Sequence, residues 1–405
     1  MRRAGRGAHL SWRPPRVNAM FRAPLLPLSW LLLAGAVSAQ VPEVRLARAE
    51  ARYPKELSSV TGLLELPDGR VLVSDGIDQT LLRIDLRSGK TDTVSRMGAG
   101  PGEYKGPDLL FGTPGGGVLL LDLGNARLSF FDAALKYLES SPVTRGNPAT
   151  GLTMVIPDGV DGEGRVYFRS MMRAPDGRAD SGAVVRWDRV RNAYDTVAKL
   201  KLSEVKVSSS GGANNRNVSM RPVPLSPEDV WSVAADGRVV VVRVTDYHVE
   251  WIRPGSPAIR GPVNPWQPVP IRDADKRAWA AELRATGLAT QVQSENGRMS
   301  VRIGRGLAGA ATPAGRPGEI PNLEWPATKP PVRLVRVSPE GDAWVERHLP
   351  AGSPRQFDIF GGDGKIKRRV ILPAGRELIG FGKGAVYLKE TTEDDLVFLE
   401  RYTVR

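Results

Sequence analysis

Two segments of the chain align without a gap. Pro67-Asp68-Gly69-Arg70-Val71-Leu72-Val73-Ser74-Asp75 is matched 47 residues later by Pro114-Gly115-Gly116-Gly117-Val118-Leu119-Leu120-Leu121-Asp122, and the register continues to Leu81/Leu128 and Asp85/Asp132. A fixed step of this size, built from short strands and Gly turns, belongs to a repeat architecture. Within each unit an Asp-Gly or Gly-Gly turn leads into a nearly all-apolar strand such as Val71-Leu72-Val73. An apolar run without alternation is buried on both faces, which stacked sheets require. Further strands and hairpin turns follow, as at Leu81–Asp85 and Ser88-Gly89-Lys90, so one unit is a four-stranded antiparallel meander.

The grammar recurs at Gly164–Phe168 with Ala183–Trp187, at Val239–Val242 with Tyr247–Ile252, at Ala343–Val345 with Phe357–Phe360, and at Ala385–Leu388 with Leu396–Tyr402. The sixth unit ends one strand short, and the unpaired stretch 43–50 is expected to supply it, because a ring of sheets must hide its edges. Of the 366 residues after Ala39, setting aside the irregular stretches 203–226 and 272–326 leaves 287, or six units of about 48. The expected fold is all-β: a six-bladed β-propeller over 40–405, closed by an N-terminal strand, with a partly helical insertion at 272–326 between blades four and five. Within that insertion Asp273–Leu283 reads as a helix, with acids in its first turn and Gly287 at its stop. Gly304–Gly318 reads as a mobile loop.

On these motifs the chain resembles the secreted bacterial six-bladed propellers of the NHL-repeat and TolB-like kind. Asp122-Leu123-Gly124-Asn125-Ala126-Arg127-Leu128-Ser129-Phe130-Phe131-Asp132 is similar to the NHL core, and Gly98–Tyr104 is similar to the Gly-rich link after the first blade of such proteins. Unit one keeps Asp75, Asp78, Leu81 and Asp85 but has Thr80 where the repeat has Arg.

The N-terminus reads as a Sec-type export signal within 1–39. Met20 is a plausible start, Arg22 the positive end, Leu25–Val37 the apolar stretch and Val37-Ser38-Ala39 the cleavage site, which places the mature chain in the periplasm or outside the cell. The apolar run is short for a membrane anchor. Six arginines precede the cut and no acid does, so the net charge falls from +13 to +7. The remaining excess is dispersed, and the run Lys365–Arg369 reads as a solvated outer strand face, so no nucleic-acid partner is expected. The chain contains no cysteine, which excludes thiolate metal sites and a Cys nucleophile. Only His248 and His348 follow the cut, so a three-His zinc site is excluded and a Ser-His-Asp triad has two candidate bases.

Strand order places the second-to-third-strand loops and the blade-to-blade links on one rim. That rim gathers the candidate ligand-face residues Asp75, Asp78, Glu103, Tyr104, Asp122, Asn125, Arg127, Asp246 and His248, together with both long insertions. Asp75 and Asp122 sit at strand ends beside turns, where a carboxylate accepts backbone N–H bonds and holds a loop. Asn125 and Arg127 fit partners of such bonds, with Glu103 and Tyr104 ordering the link. The 272–326 insertion is either a lid over the central funnel or an excursion covering a blade seam.

The expected function is a non-catalytic binding module, a monomer without membrane anchor or cofactor, presenting this face to a protein, peptide or glycan. The alternative is a metal-dependent hydrolase, lactonase or lyase, with calcium as the candidate ion. An enzyme of the gluconolactonase type would need a Glu, an Asn and an Asp converging on the axis from different blades.

Overall fold

In the computed structural model the chain divides after Gln40. The structure describes Trp12 of the first unit, and residues 41–404 of the second except 148–150, 174–178, 211–216, 296–297, 306–315, 393 and 395. The proposed export signal and most of the 304–318 loop thus lie outside the described residues. Among the described residues no helix is long and apolar enough to cross a membrane.

The second unit is a six-bladed β-propeller. Blade one consists of Gly62–Glu65, Val71–Asp75, Thr80–Ile84 and Thr91–Thr93; blade two of Pro107–Thr113, Gly117–Asp122, Arg127–Phe131 and Tyr137–Pro142. Blade three has Pro157–Val160, Val166–Arg173, Ala179–Asp188 and Ala193–Leu200; blade four has Val230–Val233, Val239–Arg243, His248–Ile252 and Ile259–Arg260. Blade five has Val332–Val337, Ala343–Arg347, Gln356–Phe360 and Ile366–Ile371; blade six has Arg376–Gly382, Ala385–Thr391 and Val397–Thr403. Each is an antiparallel meander with its first strand innermost. Gly69 (φ 82°) and Gly237 (φ 79°) turn the first strand into the second in a left-handed conformation that other residues adopt at a cost.

The second strands are buried along their unbroken apolar runs: every residue of Val71–Asp75 and of Gly117–Asp122 is buried. The core is a set of six seams rather than one centre, each an apolar cluster between neighbouring blades. Between blades four and five, for instance, Val240, Val242, Tyr247 and Trp251 pack on Val345 and Phe360. Such side chains contribute about 1.5–3 kcal/mol each on burial.

Closure differs in detail from the expectation for 43–50. The strand that completes blade six is Ala51–Arg52, antiparallel to Val397–Thr403. Glu43–Arg45 instead joins blade five as a fifth strand, parallel to Ile366–Ile371. The segment thus straddles two blades, and Leu46, Tyr53 and Leu57 bury themselves in the seams on either side of blade six. It also covers the edge at Lys365–Arg369: Arg369 pairs with Asp358 at 2.8 Å and with Glu43 at 3.4 Å instead of lying free in solvent.

The helix falls as expected, Asp273–Thr286 (α1), with Gly287 donating its N–H to the Leu283 carbonyl at the stop. Three hairpins in the blade-to-blade links were not anticipated: Thr144–Asn147 with Gly151–Met154, Val205–Ser210 with Asn217–Pro222, and Leu288–Glu295 with Arg298–Arg305.

Candidate functional site at the mouth of the channel

The conspicuous acids of the repeat motif face inward. Asp75, 1 % exposed, accepts the N–H groups of Ser58, Ser59, Ile77 and Asp78 and the Ser59 hydroxyl, all at 2.7–3.1 Å. Asp122, fully buried, accepts Lys105 N–H and Gly106 N–H on one oxygen and Asn125 and Arg127 on the other. Asn125 also donates to the Gly98 carbonyl, and Arg127 to the carbonyls of Ala99, Gly100 and Glu103. Glu103 accepts Gly100 N–H and pairs with Arg96; that backbone bond, then Arg96, holds its carboxyl below the usual range. The buried Tyr104 hydroxyl accepts Leu81 N–H. The Asp122 motif is a clamp that fixes the link from blade one to blade two, and Asp75 holds in the same way the Ser58–Ser59 stretch that leads into blade one. Asp78 remains outside it and is exposed beside Ile77.

His248, 4 % exposed, lies between two carboxylates, with Nδ1 at 2.6 Å from Asp246 and Nε2 at 3.1 Å from Glu250. Both ring nitrogens are engaged by acids, so neither faces a nucleophile as a triad base must. His348 donates from Nδ1 to the Pro330 carbonyl, and burial pulls its pKa down to about 4, so it is neutral at physiological pH.

A different set of residues converges where the innermost strands begin, on the rim of the links. Three of these strands carry a register irregularity there: at Asp108 and Leu109 in blade two, at Asp158 in blade three and at Arg333 in blade five. A bulge re-aims a side chain that regular pleating would turn elsewhere. Asp158 and Arg336, both on innermost strands, are solvent-accessible although protein surrounds them closely. Burial lifts the Asp158 carboxyl from its ordinary value to about 6, against the attraction of Arg169. Arg169 in turn reaches Glu228 at the start of blade four, at 3.4 Å.

The folded chain therefore holds the Asp158 proton more tightly than the unfolded chain, and stability falls as pH rises from about 4 to about 6. Asp158→Asn, which cannot ionise, is expected to leave the urea midpoint unchanged below pH 4 and raise it above pH 6. Equal midpoints of the two chains at pH 7 would contradict this assignment.

The insertion crosses this mouth. At the start of α1, Asp275 accepts Ala351 N–H at 2.8 Å and pairs with Lys329 at 2.7 Å, which fastens the helix to the rim of blade five. At its far end Leu288 pairs with Arg305, whose guanidinium grips the buried Asp108 of blade two through two bonds of 2.6 and 2.9 Å. The helix has 14 residues and spans about 21 Å, running from blade five toward blade two as a strap. Between them Glu282 is bonded to Arg333, which Glu346 holds from the other side at 2.9 Å. Trp279 meets Trp325 edge to face at 5.3 Å. Beneath the helix a cleft of about 320 Å³ is lined by Trp279, Leu283, Ser226, Glu228, Arg333 and His348.

The candidates read from the sequence and the residues at the mouth are thus different sets. Asp108, Asp158, Glu228 and Arg333 had no local signal beyond being charged near a strand start, and Trp279 none beyond being an aromatic on the helix. Among the described residues, no group of three or more His, Asp or Glu is placed to hold a metal ion.

No family model matches the chain, and no curated protein matches it. Among solved structures, a gluconolactonase from Xanthomonas campestris is similar at 12 % identity, covering 90 % of this chain and 96 % of that one, with a TM-score of 0.40. Virginiamycin B lyase from Staphylococcus aureus matches at 10 % identity over 88 % of this chain and 99 % of that one, TM-score 0.39. Regucalcin from Agrobacterium tumefaciens, a calcium-binding protein, matches at 12 % identity over 90 % and 97 %, TM-score 0.34.

Proposed function

We propose that the protein is an exported binding propeller of the NHL-like kind, which takes a segment of a protein, peptide or glycan at the channel mouth, under the strap. The observation that carries this reading is the bond from Arg305 to Asp108, 197 residues apart in sequence. It ties the insertion to the far side of the ring, which supports a roof across the mouth over a cover for one seam. The cleft's volume of about 320 Å³ is at the small end of ligand pockets, about 300–1,000 Å³, and suits one side chain or one sugar ring. Trp279 supplies an aromatic surface, and Glu228, Ser226 and Arg333 supply orienting polar groups. As for the metal-dependent alternative, no group of three or more His, Asp or Glu among the described residues is placed to hold an ion, and both histidines are committed to other partners.

Labelled protein applied to peptide and glycan arrays is expected to give a narrow set of retained ligands. These are expected to be lost both by Trp279→Ala and by a variant with 273–320 replaced by a short Gly-Ser linker, provided each variant still melts cooperatively. Ligands retained equally by both folded variants, or no ligand at all, would overturn the reading. Export itself predicts that the mature N-terminus, determined by mass spectrometry of the secreted fraction, begins at Gln40.

A further inference from the structure

On the outer side of the ring, between blades two and three, lies a second cavity of about 390 Å³ lined by Ser140, Ser141, Arg145, Trp187, Arg189 and Asn192 among others. Part of its lining, Arg189, Val190 and Asn192, lies in the turn from the third to the fourth strand of blade three, which opens on the face opposite the mouth. The two sites are separate.

Among the residues that line it, two arginines face one acid, Glu139, which is paired with Arg189. The Arg145 guanidinium lies 3.8 Å over the Trp187 ring, and that of Arg189 lies 3.7 Å over Phe130. Stacking fixes both cations in place and leaves their donor edges directed outward from the rings. Arg145 donates to the Ser141 hydroxyl but has no carboxylate partner among the described residues. Arg189 has Glu139, whose side chain is 61 % exposed, and an exposed pair of this kind is weak, about 0–1 kcal/mol. Among the described residues two donors here lack any acceptor: Nε of Arg145, and the indole N–H of Trp187, a residue only 3 % exposed. Buried donors without acceptors are rare in folded proteins because each costs free energy. Here two of them, both N–H groups, belong to residues that line one cavity, and one is part of a guanidinium with no carboxylate partner among the described residues.

We propose that this seam is a binding site for an oxyanion, a carboxylate or phosphate group, received by the Arg145 guanidinium and the Trp187 indole N–H with Arg189 beside them. A planar guanidinium offers its donors as a fork that matches two oxygens of either group. Neutral ligands would leave the charge uncompensated, and cations would be repelled.

The test is a ¹H–¹⁵N NMR titration of the full chain, reading the indole N–H resonances of its nine tryptophans. The Trp187 signal is assigned as the one that disappears in Trp187→Phe. Succinate and inorganic phosphate are titrated separately, with sodium chloride at matched ionic strength as the control. The expected result is a saturable downfield shift of that resonance with one anion or both, and which anion acts identifies the source of the oxyanion. In Arg145→Gln, whose altered side chain is only half-buried, the apparent affinity is expected to fall at least about tenfold, the loss of one charge-assisted contact. A resonance that stays fixed with both anions, that moves equally with chloride, or that responds undiminished in Arg145→Gln would overturn the proposal. Should Trp187→Phe fail to fold, selective ¹⁵N-indole labelling with the Arg145→Gln comparison still decides it.

Discussion

Asp122→Ala is expected to lower the unfolding free energy by about 3–5 kcal/mol, the range for breaking a buried ion pair from one side. The carboxylate is wholly inaccessible and receives four donors: two backbone N–H groups, the Asn125 amide and the Arg127 guanidinium. Alanine removes every acceptor at once. Arg127, about one-seventh exposed, is then left with only the carbonyls of the Gly98–Glu103 link. Urea unfolding of the two chains measures the difference. Asp122→Asn separates charge from geometry, since an amide keeps one acceptor oxygen and loses the ionic attraction; it is expected to recover only part of the loss. A change under 1 kcal/mol in the alanine variant would show that the clamp is dispensable.

A chain shortened to begin at Val60 is expected to lose cooperative folding altogether. The missing segment carries Leu46, Tyr53 and Leu57, at 7 %, 2 % and 5 % exposure, whose burial is worth together about 5–9 kcal/mol. That matches the whole net stability of many domains, about 5–15 kcal/mol. The truncation also uncovers the outer edges of blades five and six, and an open apolar edge recruits other chains. Calorimetry of the soluble fraction checks this; a single sharp transition within a few degrees of the full chain's would refute it. Tyr53→Ala removes one anchor without opening an edge and is expected to yield soluble, less stable protein.

The features legible in the sequence were those set by short-range rules. The 47-residue step, the apolar second strands and the Asp-Gly turns at Gly69 and Gly237 each follow from strand burial or backbone sterics within a few residues. The helix at Asp273 was readable for the same reason. The bulges at Asp158 and Arg333 were not, because a bulge is a mismatch between two strands and has no signature in either alone. Likewise nothing near Arg305 or Asp108 announces that one will hold the other. The Asp75 and Asp122 motifs stood out because a clamp must repeat with the blades. The mouth did not, because each blade contributes a different residue to it.

The N-terminal segment also sets an order of events. Each blade is stitched from neighbours in sequence, so blades can form locally and early. Glu43, however, contacts Arg369 at a separation of 326 residues, and Glu50 contacts Arg401 at 351. Contacts that distant are entropically slow to form. The first residues of the second unit to leave the ribosome are therefore expected to be the last to find their places. Until the final blade is complete, the molecule is an arc with two sticky ends, and the interval between the sixth blade forming and the N-terminal segment docking is when it is most exposed to joining a second copy of itself.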